Sequence, residues 1–383
     1  MKIVIATDSF KGSISAVEAT KAIEQGIKKS FPKARTYRVP MADGGEGTLD
    51  TLVAATNGKK VPVIVKGPLG GEVEAEYGVL GNGVTCVIEM AKASGLILVP
   101  SHQLNPLEAT TFGTGQLIKQ ALDDGYTSFV LAIGGSATND GGAGMLQALG
   151  LRLLDRDGNE LHFGGAALQQ LHSIDFSAFD ERIQGCQFLL ASDVENPLVG
   201  PNGASYVFGP QKGATAEQVA LLDDCLLHWA NKVEEATGVH LHTLPGAGAA
   251  GGIGGAFQAF FPSKTMRGID VVIEHTGLET ILEGADLVIT GEGQVDFQTA
   301  SGKTPMGVAQ AAQNQGINSI ILAGSVGVGI DALYQYGVIS VHSIVNRPMT
   351  LSEAMENAAE LLEQSAEQVA RTYFYHQKAE ESR

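Results

Sequence analysis

A two-domain α/β fold, made of a discontinuous Rossmann-like parallel-sheet domain and an inserted mixed α/β domain, is predicted by three observations. Short apolar runs near both ends of the chain, such as Ile3-Val4-Ile5, Val288-Ile289 and Ile320-Ile321-Leu322, alternate with segments of helical periodicity. Between residues 60 and 90 that texture gives way to apolar runs separated by Gly-Pro, Gly-Gly and Gly-Asn-Gly turns. The chain's 383 residues exceed what one core usually supports, while a hydrophobic content of 44% is enough to pack two.

The first stretch reads as strand 2–6, helix 16–29, strand 36–39 and helix 48–55, which makes two βα units. Ser15 and Glu18 have capping-box spacing, and Ala19, Ile23 and Ile27 recur at helical intervals. Segments 61–65, 73–79 and 84–89 read as strands, and their tight turns suit antiparallel hairpins rather than crossovers. A glycine-rich middle of mixed pattern runs to Pro262. From Ile269 alternation returns as strand 271–274, helix 279–282, strand 286–290, helix 305–315, strand 319–323, helix 331–336, strand 338–344 and a final helix from Ser352. Residues 379–383 read as a frayed end. The expected division is 1–60 with 266–383 for the Rossmann-like domain and 61–265 for the insert, with an active site in a cleft between them.

A formal net charge of -17 argues against nucleic-acid or anionic-membrane partners, which need dense Lys and Arg on one face. A small anionic substrate must then be attracted locally. Cys86, Cys186 and Cys225 are far apart, without the spacing of a zinc site or a disulfide framework. Met1-Lys2 leads directly into a strand pattern, no secretory h-region is evident, and no apolar run approaches membrane-spanning length, so a cytoplasmic location is expected. Apolar patterning leaves monomer and homodimer equally open.

Each strong apolar strand runs into a cluster of Gly, Asp, Ser or Lys, and in open α/β sheets ligands sit beyond the carboxyl ends of the strands. After the first strand, Asp8-Ser9-Phe10-Lys11-Gly12 offers an acid, a hydroxyl and an ammonium; Asp8 suits Mg2+ or a substrate proton, and Lys11 suits an anionic group. Asp43-Gly44-Gly45-Glu46-Gly47 closes the second strand, with Asp43 a second candidate for Mg2+ and the alternative that it caps a helix. Gly134-Gly135-Ser136 opens a segment, 134–144, whose glycine density suits a phosphate or carboxylate cradle. Thr110 to Gly115 reads equally as a hydroxyl-lined anion loop or a helix cap. Ser192-Asp193 lies at another strand end. Gly291-Glu292-Gly293, Asp296 and Lys303 surround one strand-to-helix connection, where a carboxylate beside lysine is the minimum set for moving a phosphoryl group.

Two patterns fail on inspection. Gly246-Ala247-Gly248-Ala249-Ala250-Gly251 fits the dinucleotide consensus in letters, but Pro245 precedes it and no apolar strand leads in, which weakens a nicotinamide-dependent oxidoreductase reading. Ser301-Gly302-Lys303-Thr304 looks like half a P-loop, yet Phe297 occupies the place of the required glycine. Among the nine histidines, His240 and His242 alternate on an expected strand, and none forms an H-x-x-x-H pair.

Taken in order, segments 8–13, 41–48, 133–150, 191–198, 207–213, 245–252, 290–303 and 323–327 resemble the type I glycerate kinase family over nearly the whole chain. Gln294 stands where the family often has a basic residue. The resemblance implies phosphorylation of D-glycerate by ATP with Mg2+, with the 2-hydroxyl as acceptor. In that frame Asp193 or Asp296 orients and deprotonates the hydroxyl, Lys11 and Lys303 neutralise carboxylate and phosphoryl charge, and Asp8 or Asp43 supports Mg2+. Ser9, Gly44, Gly45, Gly134, Gly135, Ser136, Ser192, Gly291, Glu292 and Gly293 contribute to substrate or nucleotide binding. The alternatives are a D-glycerate 3-kinase giving 3-phosphoglycerate and a protein that binds a hydroxy acid without chemistry.

Overall fold

The computed structural model describes residues 1–375, so the fray expected at 379–383 lies outside the described residues. Its strands are β1 (Lys2–Ile5), β2 (Arg35–Arg38), β3 (Lys59–Lys66), β4 (Glu72–Val79), β5 (Thr85–Glu89), β6 (Ser128–Ala132), β7 (Arg152–Leu154), β8 (Ser173–Asp175), β9 (Gln187–Ala191), β10 (Ser263–Met266), β11 (Leu287–Val295), β12 (Ser319–Val326) and β13 (Val338–Ser343). They fall into two compact units. Among the described residues, one comprises 1–43, 50–56 and 269–375; the other comprises 44–49 and 57–268.

The first unit is built on one sheet in the order β13-β12-β11-β1-β2, with every neighbouring pair parallel. In the unit's own chain order this is 2-1-3-4-5, a doubly wound sheet whose order reverses between β1 and β11. Ile3, Val4 and Ile5 in β1 and Leu287, Val288 and Ile289 in β11 are all buried, the continuous apolar run expected of strands covered on both faces. Helix Ala16–Ser30 starts with the reciprocal Ser15/Glu18 capping box and buries Ala19, Ile23 and Ile27. It lies against helix Ala358–Tyr373 so closely that a Cβ on Gly26 would stand 2.0 Å from the Glu363 carbonyl oxygen. One expected strand, 271–274, is instead part of helix Gly268–Thr276. A β-branched run of this length fits either period, and here Ile269 sits over Gly307, whose Cβ would meet the Ile269 side chain at 2.4 Å. Residues 330–336 wind as a 3₁₀ stretch, and the final helix divides at Asn357.

The second unit has a mixed sheet, β10-β9-β6-β5-β4-β3. β3, β4 and β5 pair antiparallel, while β5, β6, β9 and β10 run parallel. β7 and β8 form a separate antiparallel pair. Its core contains Phe129 stacked on Phe188 at 4.8 Å between ring centroids, with Trp229, Phe257 and Phe260 in the same cluster. His240 and His242 lie in irregular backbone after helix Ala216–Thr237, not on a strand. Among the described residues no helix is long and apolar enough to cross a membrane.

Candidate active site

At the reversal between β1 and β11 the first unit opens a cavity of about 620 Å³. Strand order explains its place, because chains leaving β1 and β11 diverge to opposite faces and leave a crevice at their carboxyl ends. One end is polar: Asp8, Ser9 and Lys11 follow β1, Asp43 follows β2, Glu292 lies on β11, and Lys303 caps helix Thr304–Gln313. Ile344, Met349, Leu351 and Met355 add apolar lining. Gly293 also lines the cavity. Gly291 serves the sheet, since a Cβ there would meet the Leu322 carbonyl oxygen at 2.1 Å.

Asp8 is held firmly. Its Oδ2 accepts from the Thr304 hydroxyl at 2.7 Å, and its Oδ1 accepts from the Ser9 amide at 2.6 Å and the Ser9 hydroxyl at 3.2 Å. Burial, reinforced by the nearby Asp43 carboxylate, nevertheless pushes the Asp8 carboxyl up to about 7; the hydrogen bonds and Lys11 only partly offset this. Glu292 accepts from the Thr299 hydroxyl at 2.7 Å, and its Oε2 lies 3.9 Å from Lys303 Nζ. Burial raises the Glu292 carboxyl too, with Thr299 and Lys303 opposing. The cavity therefore gathers three acids and two ammonium groups. Asp296 is not among its lining residues: its carboxylate accepts from the Gln298 amide at 2.9 Å and from Gln294 Nε2 at 3.1 Å, a local turn arrangement.

The remaining candidates belong to the second unit. Gly44, Gly45 and Gly134 converge beside the end of β9: the Gly134 amide donates to the Gly44 carbonyl at 3.4 Å, and a Cβ on Gly134 would stand 2.8 Å from Gly45 Cα. Gly44 adopts φ 88°, and a Cβ there would reach the Ala191 carbonyl oxygen at 2.9 Å. Ser192, next along β9, donates its amide to the Met266 carbonyl at 3.0 Å, and Asp193 is exposed. The Gly135 carbonyl accepts from the Leu96 amide at 2.9 Å. Ser136 accepts from Lys212 Nζ at 2.7 Å.

Two residues in this unit, Glu89 and Asp140, are not singled out by the sequence as site-forming groups, and a third, Lys212, stands there only as an isolated positive charge in the 209–213 segment. Glu89, buried at the end of β5, accepts from the amides of Gly47 and Leu49 and so fixes the 44–49 loop; its place at a strand end is a signal that could have found it. Asp140 is fully buried and accepts from the Thr111 amide and hydroxyl, both at 2.8 Å, and from the Gly142 and Gly144 amides at 3.1 and 3.3 Å. The anion bound by these two loops is thus the protein's own carboxylate. Lys212, also buried, donates to Ser136 and to the Thr138 carbonyl at 2.6 Å, and burial pushes its ammonium down to about 7 despite Asp140. In the 246–251 segment no strand leads in; a Cβ on Gly248 would stand 2.2 Å from the Pro197 carbonyl oxygen and one on Gly251 2.0 Å from that of Thr138. Those glycines serve packing between loops, which removes the support for a nicotinamide site.

A family model described as the glycerate kinase family matches residues 3–374. The glycerate kinase of Bacillus subtilis (strain 168) is 52% identical over 370 residues, covering 97% of each chain. The glycerate 2-kinase of Escherichia coli (strain K12) is 47% identical over 372 residues, covering 97% of this chain and 98% of its own. A crystal structure from Salmonella typhimurium LT2, provisionally named glycerate kinase 2, superposes with a TM-score of 0.88 at 48% identity and covers 99% of both chains.

Proposed function

Because the chain belongs to the glycerate kinase family, we propose that it transfers the γ-phosphoryl group of ATP to the 2-hydroxyl of D-glycerate, giving 2-phospho-D-glycerate and ADP in the cytoplasm. The observation that carries this reading is the cavity at the β1/β11 reversal, where Lys11 and Lys303 share one polar end with Asp8, Asp43 and Glu292. Phosphoryl transfer asks mainly for positioning and neutralisation of charge, and that set of groups meets the demand. Lys11 and Lys303 neutralise the glycerate carboxylate and the transferring phosphoryl oxygens. The 2-hydroxyl, rather than the 3-hydroxyl, is favoured by the name of the Escherichia coli relative.

Asp8, Asp43 and the Ser9 hydroxyl form an all-oxygen set that suits a hard dication. The repulsion that helps raise the Asp8 carboxyl is of the kind a bound cation relieves. Mg2+ held there supplies neutralisation of the triphosphate charge. A carboxylate orients the acceptor hydroxyl and takes its proton. Asp193 and Asp296 are the sequence-based candidates, and Glu292 joins them because it lines the cavity with a carboxyl raised toward the working range of a general base. The test is glycerate-dependent release of ADP by the wild type and by Lys11→Met, Lys303→Met, Glu292→Gln, Asp296→Asn and Asp193→Asn. Loss of the base is expected to lower kcat on the order of 100-fold or more. Near-normal turnover in all three carboxylate variants, or in both lysine variants, sinks these assignments.

A further inference from the structure

A second cluster, unrelated to the cavity, lies where helix Ala216–Thr237 ends. Gly238 closes the helix in the left-handed conformation, φ 77° and ψ 4°, and turns the chain so that residues 240–242 come back beside the last helical turns. His240 Nδ1 stands 3.0 Å from Glu234 Oε2, and His242 Nδ1 stands 3.8 Å from the same oxygen. The two imidazoles stack with centroids 4.3 Å apart and planes 25° from parallel. The three potential ligand atoms all lie within 4.8 Å of one another. A tetrahedral zinc ion with bonds of about 2.0–2.1 Å holds its ligand atoms about 3.3 Å apart, so the set closes when the stacked rings turn out of parallel to aim both Nδ1 atoms at one point.

The environment of His242 sharpens the reading. Its Nε2–H donates to Asn231 Oδ1 at 2.9 Å, which leaves Nδ1 as a bare lone pair. That Nδ1 is buried and has no hydrogen-bond partner. A buried acceptor aimed at a carboxylate oxygen is an unfavourable pair, and a cation between them resolves it. An outer-shell acceptor that fixes the tautomer is also the usual companion of a metal-binding histidine. Lys232 does not compete for Glu234, since it pairs with Glu235 at 2.8 Å.

We propose that Glu234, His240 and His242 bind one divalent ion of the zinc class. Two imidazole nitrogens and one carboxylate oxygen select such an ion over Mg2+, whose preference is for oxygen. Binding through Nδ1 requires His240 as its Nε2–H tautomer, so the single proton of the neutral ring sits on Nε2, and the exposed ring leaves Nε2 free to carry it in water. The ion then ties the end of the helix to the segment that leads into the 246–252 glycine run.

The experiment is calorimetric titration of untagged, full-length protein with zinc chloride, with Mg2+ present in excess throughout. The expected result is one saturable zinc site per chain, absent from His240→Ala/His242→Ala. Asn231→Leu should retain the site with affinity about 10–100-fold lower, because it removes the contact that orients His242 without removing a ligand. If the double variant does not fold, Glu234→Gln serves instead, with at least about a 10-fold loss expected. Failure of the wild type to saturate at one ion per chain overturns the proposal. So does equal zinc affinity in wild type and ligand variants, which would place the ion elsewhere.

Discussion

Replacing Asp8 by Asn should remove a pH-dependent penalty from the first unit. Asp8 is 6% exposed, and its carboxyl is pushed from an ordinary 3.8 up to about 7. The folded protein therefore keeps this proton to higher pH than the unfolded chain, so stability falls as pH rises. The penalty is absent below about pH 4 and complete above about pH 7. At about 1.4 kcal/mol per pKa unit, the portion lost between pH 5 and pH 8 is about 2–3 kcal/mol. The raised Glu292 carboxyl acts in the same direction but is present in both proteins. Urea unfolding followed by circular dichroism at the two pH values measures the effect, which corresponds to roughly 1 M in midpoint. The single tryptophan, Trp229, lies in the other unit and provides an internal control by fluorescence. At pH 8, Mg2+ should restore stability to the wild type and not to Asp8→Asn. Equal loss of stability by both proteins between pH 5 and pH 8 would refute the burial argument.

Lys212→Met should abolish a rise in stability of the second unit between pH 7 and pH 10, read by Trp229 fluorescence. The buried ammonium, pushed down to about 7, gives up its proton before the unfolded chain does, so the wild type gains stability as pH climbs through that range. Asp140→Ala strands the four buried donors from Thr111, Gly142 and Gly144, and a loss of at least about 3 kcal/mol is expected in urea; a loss below about 1 kcal/mol would contradict that account. Thr304→Val removes a donor that lowers the Asp8 carboxyl, so the acidic limb of the pH–rate profile should move to higher pH. An unmoved limb would dissociate Asp8 from that limb.

What could be read in the sequence was whatever rests on local pattern. The Ser15/Glu18 box, the periodicity of Ala19, Ile23 and Ile27, and the hairpin turns of 61–89 each depend on a few neighbouring residues, and all are present in the fold. Asp8, Lys11 and Lys303 stood out because they follow strands, and Glu292 because it follows the expected strand 286–290, although β11 itself runs on to Val295; the 2-1-3-4-5 order then gathers all four at one crevice. Residues that act across long sequence distances were not legible. Thr304 reaches Asp8 over 296 positions, and Glu89 reaches Gly47 over 42. The 134–144 glycines suggested an external anion, yet Gly142 and Gly144 donate to Asp140, and a Cβ on Gly141 would strike Trp229 at 2.7 Å. Segment 271–274 went astray because Val271, Val272 and Ile273 suit a strand in isolation, while packing over Gly307 selects a helix.

The central claim is tested most directly by 31P NMR of the purified protein with ATP, Mg2+ and D-glycerate, with authentic 2- and 3-phosphoglycerate as standards. The account predicts ADP and the 2-phosphoglycerate resonance growing together. The 3-phosphoglycerate resonance would overturn the assignment of the acceptor hydroxyl, and no turnover would contradict the proposed kinase activity.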